Sequence, residues 1–250
     1  MKLGSLFDGS GGFPLAGALF GIEPVWASEI EPFPIKVTKA RFPGMKHLGD
    51  VTKIKGAEIE PVDIITFGSP CQDLSVAGKQ AGIHDGERSN LFFEAIRIIK
   101  EMREHDRELG RPDKLLRPRF AVWENVPGAF SSNKGEDFRA VLQAFCDINE
   151  KGRVSVPQPQ RWKPDGVIVG TCWSLAWTVL NACEMGRISV PQRRKRIYLI
   201  ADFGSERAGE ILFEPEGVCW DSEAGRKARE SAARYVAGCS NGSGWFRWME

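Results

Sequence analysis

Cys71 follows directly on the stretch DIITFGSP (residues 63–70), where a β-branched apolar run gives way to Gly-Ser-Pro and then to polar residues and glycines. A cysteine that only fills space belongs inside an apolar run. One placed where a strand passes into a loop stands where side chains of α/β proteins reach ligands, and the chemistry open to it there is nucleophilic attack by the thiolate. In WENVPGAF (residues 123–130) a second apolar stretch ends in Glu124 and Asn125, so a carboxyl group and an amide would share that edge. Four basic residues, Arg193, Arg194, Lys195 and Arg196, precede the apolar run IYLI; such a cluster serves as a solvated face or as phosphate contacts. Each of these alone has a bland reading, since a lone cysteine is usually structural and a strand-end carboxylate usually a solvated cap. Their occurrence together is what invites a catalytic one.

The glycine-rich stretch SLFDGSGGFPLAG (residues 5–17) could cradle a nucleotide. It is not a phosphate-binding P-loop, because no Gly-Lys-Ser/Thr closes it. As a dinucleotide fingerprint it is imperfect: Pro14 stands where the third glycine belongs, and Asp8 puts a carboxylate where a pyrophosphate needs N–H groups. Glu29 nevertheless lies about twenty residues on, the spacing at which an acid reaches ribose hydroxyls. A glycine turn with a ribose acid and no phosphate clamp suits an adenosine cofactor lacking phosphate, of which S-adenosylmethionine is the obvious candidate. A ligand-free strand–helix turn and a nicotinamide-dependent oxidoreductase remain as alternatives, with Pro14 counting against the latter.

These groups need rigid elements behind them. Strands are expected over residues 2–7, 25–28, 63–67, 120–123, 173–180 and 196–201, and helices over 14–20, 90–103 and 138–149. Phe92, Ala95, Ile96, Ile99 and Met102 form the clearest i, i+3, i+4 stripe, with Ser89 or Asn90 as its cap. Strands alternating with helices predict an α/β fold: a doubly wound, mainly parallel sheet covered on both faces. Residues 104–119, rich in charge and proline, read as a surface insertion, and beyond residue 203 the periodicity fades.

The totals exclude several classes. At 250 residues, 42% hydrophobic and 27% charged, the composition is that of a folded soluble chain. No apolar run reaches the ~18 residues of a membrane span, and residues 1–20 lack the charged start and apolar core of a secretory signal. The six cysteines (71, 146, 172, 183, 219, 239) contain no C-x-x-C pair, which argues against zinc or a disulfide framework. No metal is expected, and the setting is read as reduced and cytoplasmic. A net charge of +1 neither indicates nor excludes nucleic acid.

LFDGSGGF, GSPCQ, ENV and PQRRKRIYLI, in this order, resemble the signature blocks of the DNA (cytosine-5)-methyltransferase family over about residues 2–203. The resemblance implies a Rossmann-like S-adenosylmethionine-dependent fold and transfer of a methyl group to carbon 5 of a cytosine flipped out of double-stranded DNA. It implies Cys71 as the nucleophile adding to carbon 6 and Glu124 as the proton-sharing partner of ring nitrogen 3. Asn125 would orient Glu124, Arg194 and Arg196 would approach the base, and Pro70 would shape the turn holding Cys71. For the cofactor, Phe7 would lie against adenine, and Gly9, Gly11 and Gly12 would admit the methionine part. Glu29 would bind the ribose, Ile30 would pack on adenine, and Asp50 with Val51 would read the adenine edge. Residues 74–88 would form the mobile loop closing over DNA.

Two departures stand out. Where many members carry an acid two residues before Phe7, this chain has Ser5, which implies fewer cofactor contacts. After residue 203 the family continues into a recognition region and a Gly-Asn-Ser-Val segment that folds back beside the cofactor. Residues 204–250 resemble neither and read as an irregular tail, or the start of a truncated recognition region. A truncated gene, a fragment, or the catalytic subunit of a split enzyme with a second polypeptide as partner would each account for this. A cofactor- or partner-binding remnant without activity, and a relative acting on transfer RNA, stay open. Target sequence and a restriction-modification or solitary role are not legible.

Overall fold

The computed structural model describes residues 1–69, 91–184 and 192–213. Pro70, Cys71, the 74–88 loop, the Ser89/Asn90 cap and the tail beyond 213 lie outside the described residues. The elements are β1 (Lys2–Leu6), α1 (Gly12–Leu19), β2 (Glu23–Ser28), α2 (Pro32–Arg41), β3 (Lys46–His47), β4 (Ile64–Phe67), α3 (Leu91–Glu108), β5 (Phe120–Asn125), α4 (Glu136–Asn149), β6 (Gly166–Gly170), β7 (Trp173–Asn181), β8 (Lys195–Asp202) and α5 (Ala208–Phe213).

The strands form one sheet in the order β3-β2-β1-β4-β5-β8-β7-β6. Pairings from β3 through β5 are parallel, and those from β5 through β8 and β7 to β6 are antiparallel. The expected parallel sheet is thus its first five strands. The rest is antiparallel because β6 and β7 are joined by the two residues Thr171 and Cys172, the latter at φ 66, a link too short for a parallel crossover. The chain order reverses at β1, whose neighbours are β2 and β4, and there the carboxyl ends of the strands leave a crevice.

On one face α3 and α4 pack through large rings: Phe92 meets Phe145 edge-on at 6.0 Å, and Phe138 meets Trp177 at 5.6 Å. The other face carries α1 against β1 and β2, and α5 against β7 and β8. Helix α5 extends the packed unit ten residues past 203, where an irregular tail was expected. Helix α2 was hidden by its prolines. Pro32 occupies its first turn, where the missing N–H has no intrahelical partner to lose.

The 104–119 segment is not a surface insertion. Helix α3 continues to Glu108, and Asp106 and Leu116 are each 1% exposed. Asp106 accepts hydrogen bonds from Arg117 N (2.9 Å), Nε (3.0 Å) and Nη2 (2.8 Å) and pairs with Arg111 Nε at 3.0 Å. This clamp turns the chain back beneath the sheet into β5. Burial opposes ionisation of Asp106, but the Arg117 bonds and the Arg111 charge outweigh it and hold the carboxyl below its usual range. A depressed carboxyl contributes stability above its unfolded pKa and loses it as pH falls through the folded one. Asp106→Asn should therefore lower stability by about 2 kcal/mol at neutral pH, moderated because both arginines reach solvent. Thermal unfolding should show the gap closing near pH 3; a gap independent of pH would mean that shape, not charge, makes the clamp.

Candidate active site

At the carboxyl end of β1 the chain bends through Phe7 (φ 53), Gly9 (φ 56) and Gly11 (φ 83). A Cβ on Gly11 would stand 2.9 Å from Thr38 Cγ2, so the loop presses on α2 there, whereas Gly9 and Gly12 face open space. The outer side of the loop is bare backbone that a ligand can approach. Glu29, at the end of β2, is tied to this loop: its Oε2 accepts from Gly9 N at 2.8 Å, and its Oε1 from Ile30 N and Glu31 N at 2.8 and 3.0 Å. Ile30 beside it is 67% exposed, an apolar side chain left free for a flat partner. Phe7 is half-buried and packs on the core.

Asp50 follows β3 and caps a short turn, accepting from Thr52 N (2.9 Å) and Thr52 Oγ1 (2.8 Å). The Thr52 backbone bond in particular holds its carboxyl low. Val51 is 5% exposed and belongs to the core, so a contact there can come only from its main chain. The structure therefore brings Phe7, the glycines, Glu29, Ile30 and Asp50 to one crevice.

The chemistry-bearing carboxylate sits one strand further along. Glu124 is paired by Arg196 Nε at 2.9 Å, with Arg194 Nη2 at 3.9 Å. A Cβ on Gly68 would lie 3.0 Å from Glu124 Oε2, so glycine at 68 keeps room for the carboxylate. Asn125 points to the opposite face, as strand alternation requires. Its Nδ2 donates to the Ser69 carbonyl at 3.2 Å, and Trp123 Nε1 donates to Ser69 Oγ at 3.2 Å. The expected role of Asn125 changes accordingly: it holds the residue ahead of Pro70 and Cys71, while Arg196 orients Glu124.

Sequence reasoning missed two residues. Tyr198 lies opposite Glu124 in the β5–β8 register, and burial, then the Glu124 charge, push its phenol up. Only the strand pairing reveals it. Asp8 was legible as an acid in a glycine loop, though not its condition: it is 7% exposed, and neither its carboxylate oxygens nor Ser5 Oγ has a hydrogen-bond partner. Burial, aided by the Glu29 charge, pushes it up to about 6, against a partial pull from nearby Ser5. Among the described residues there is no helix long and apolar enough to cross a membrane and no cluster of metal-ligating side chains.

A sheet of this order with these groups at its carboxyl edge is the Rossmann-like fold of methyltransferases. The chain belongs to the C-5 cytosine-specific DNA methylase family, whose model matches residues 1–207. It is 32% identical to the DNA N-6-adenine-methyltransferase of Escherichia phage P1, over 94% of this chain and 33% of that protein. It is 31% identical to the Type II methyltransferase M.NgoBV of Neisseria gonorrhoeae (74% and 36% covered) and 30% identical to M.HhaI of Haemophilus parahaemolyticus (78% and 47%). The chain thus spans a third to about half of the length of these relatives. In fold it is similar to a prophage-encoded DNA modification methyltransferase of E. coli (TM-score 0.52, 21% identity, covering 81% of this chain and 46% of that one). It is also similar to the Dnmt2 methyltransferase of S. pombe (TM-score 0.50, 17% identity, 82% and 50%).

The state of Asp8 has a measurable consequence. A carboxyl raised from 3.8 to about 6 leaves stability intact below its unfolded pKa and removes it as pH rises through the folded one. Asp8→Asn should stabilise the protein at neutral pH by at most about 3 kcal/mol, with the difference gone near pH 4. Melting curves of both chains across that range check it; equal melting at neutral pH would show the charge to be solvated after all.

Proposed function

We propose that this chain is the catalytic part of an enzyme that transfers a methyl group from S-adenosylmethionine to carbon 5 of cytosine in double-stranded DNA. The observation that carries the reading is the pinning of Ser69, two residues before Cys71 in sequence, on the same strand that presents Glu124. A thiol and a carboxyl from neighbouring strand ends suit addition to a pyrimidine. Methylation of an exocyclic adenine amine needs no thiol, because the amine lone pair is itself the nucleophile; the adenine activity in the phage P1 relative's name is therefore not carried over.

The crevice fits the cofactor. The bare loop at Gly9 and Gly12 admits its methionine part, exposed Ile30 offers a face for adenine, and Asp50 sits at that rim. Glu29 spends one acceptor position of Oε2 on Gly9 and, as a carboxylate with about four such positions, retains capacity for ribose hydroxyls. When bound, S-adenosylmethionine supplies an electrophilic methyl group.

Cys71, as thiolate, adds to carbon 6 of the flipped base, and the electron pair of the 5,6 double bond shifts toward carbon 5 and the ring nitrogen. Glu124 shares a proton with nitrogen 3 as charge develops there, with Arg196 fixing its direction. Carbon 5 takes the methyl group and loses its proton to a base, and expulsion of Cys71 restores the double bond. Asn125 and Trp123 keep the Cys71 segment in register with Glu124. Arg193, Arg194 and Lys195, exposed before β8, contact phosphate. Base reading is supplied by sequence outside residues 1–203, which form the catalytic unit, from a second polypeptide where the enzyme is split. The Type II names of the relatives favour a cytoplasmic restriction-modification setting.

DNA carrying 5-fluorocytosine at the target, offered with a polypeptide supplying the recognition region, should trap a covalent adduct that Cys71→Ser abolishes while cofactor binding persists. An adduct surviving in that variant would remove Cys71 from the mechanism. Buried Cys146 should form none. Glu29→Gln should weaken S-adenosylmethionine binding by roughly 1.5–3 kcal/mol per charge-assisted bond lost. Unchanged affinity by calorimetry would place the ribose elsewhere.

A further inference from the structure

Helix α1, GFPLAGAL, has no charged or hydrogen-bonding side chain. A helix apolar on every side is built for burial. Its inner side is satisfied, with Pro14 and Gly17 buried and Gly17 set against Leu3 and Ile22. Its outer side is not. Leu19 and the following Phe20 are 76% and 86% exposed, and Leu15, one turn before Leu19, is 36% exposed.

The sheet face beneath is also unevenly covered. Leu3, Ile64, Phe120, Asp202 and Ser174 follow one another across the strands in register, so α1 over Leu3 and α5, bonded to Ser174 through Ala208 N, lie on one face. Between them Ile64, Phe120, Val122 and Tyr198 are only half-buried. Strands in the middle of such a sheet are ordinarily buried on both sides.

The chain carries a second unsatisfied apolar surface of its own. Past α5, which ends on this face, it continues from residue 214 to 250, and its last stretch, GWFRWME, sets Trp245, Phe246, Trp248 and Met249 within five residues. Each such ring buries on the order of 150–250 Å² when it packs, and an exposed cluster of them is an aggregation liability. Reach is no obstacle. From β8 to β1 is three strand intervals, about 15 Å, whereas the thirty or so residues before Trp245 extend by about 3.3 Å each.

We propose that the segment 245–249 docks on the outer side of α1, its aromatic side chains covering Leu15, Leu19 and Phe20. Arg247 and Glu250 are the charges nearest the cluster, and both can stay at its rim in water. The chain thereby closes its own apolar face.

The test places the photo-crosslinker p-benzoylphenylalanine at position 20 of the full-length chain, in place of exposed Phe20. Irradiation, digestion and mass spectrometry should then find the link in the peptide holding residues 245–249. Mixing light and isotopically heavy chains separates the occupants. Links within one chain support the proposal. Links joining light to heavy peptides would assign the face to a second copy, and a link elsewhere, or none, would leave the face to a different polypeptide; either result overturns it. As an independent measurement, a chain ending at Gly244 should bind several-fold more anilinonaphthalene sulfonate than the full chain. Leu15→Asp with Leu19→Asp in that shortened chain should remove the gain. Equal dye binding by full and shortened chains would also overturn the proposal.

Discussion

The working edge of this protein depends on β8 running against β5. In a parallel arrangement the basic run that precedes β8 would begin at the far edge of the sheet. Antiparallel insertion instead brings its start to the carboxyl ends of β1, β4 and β5, where Arg196 reaches Glu124 at 2.9 Å. The pair is partly open to water, with side chains 21% and 22% exposed, so its contribution to stability is modest. What it fixes is direction: a carboxylate held by one planar cation keeps its other oxygen aimed across Gly68. The opposite face of β5 meanwhile holds Ser69 through Asn125 and Trp123. One strand thus carries the acid on one side and the anchor of the cysteine-bearing segment on the other.

The cofactor half is organised by a different economy of groups. Glu29 satisfies three backbone N–H groups that the turn leaves without partners, and in doing so fixes the loop relative to β2. Asp8 does the reverse, for it is buried without a partner and raised toward neutrality. A fold tolerates such a group at a cost in stability, and such costs concentrate where function rather than packing sets the residue. Both acids lie within the few residues that follow β1 and β2, so the tight point of the loop and its unsatisfied point are neighbours.

Much of this was legible in the sequence, for reasons that can be named. Short β-branched runs alternating with amphipathic stripes announce α/β architecture, and the stripe of Phe92, Ala95, Ile96, Ile99 and Met102 marked α3 because one face of it had to meet the sheet. The glycines of the first loop and the Glu29 spacing marked the crevice, since backbone approach to a ligand needs residues without side chains. The family blocks tied Glu124 and the basic run to a chemistry.

What the sequence could not show were facts of pairing. Helix α2 was masked because Pro32 and Pro34 look like terminators unless the position of the helix start is known. The 104–119 stretch looked solvated because charge was read without partners, whereas Asp106 is buried by the arginines that satisfy it. Asn125 was linked to Glu124 as its neighbour in the chain, but a strand sends adjacent side chains to opposite faces, and only the β4–β5 contact discloses Ser69 as its partner. Tyr198 entered the site through register alone. Residue types and spacing determined which chemistry the chain can carry, because reactivity is local to a side chain. Which groups stand within bonding distance was decided by the sheet, because strand order and direction join residues that the sequence holds more than fifty positions apart.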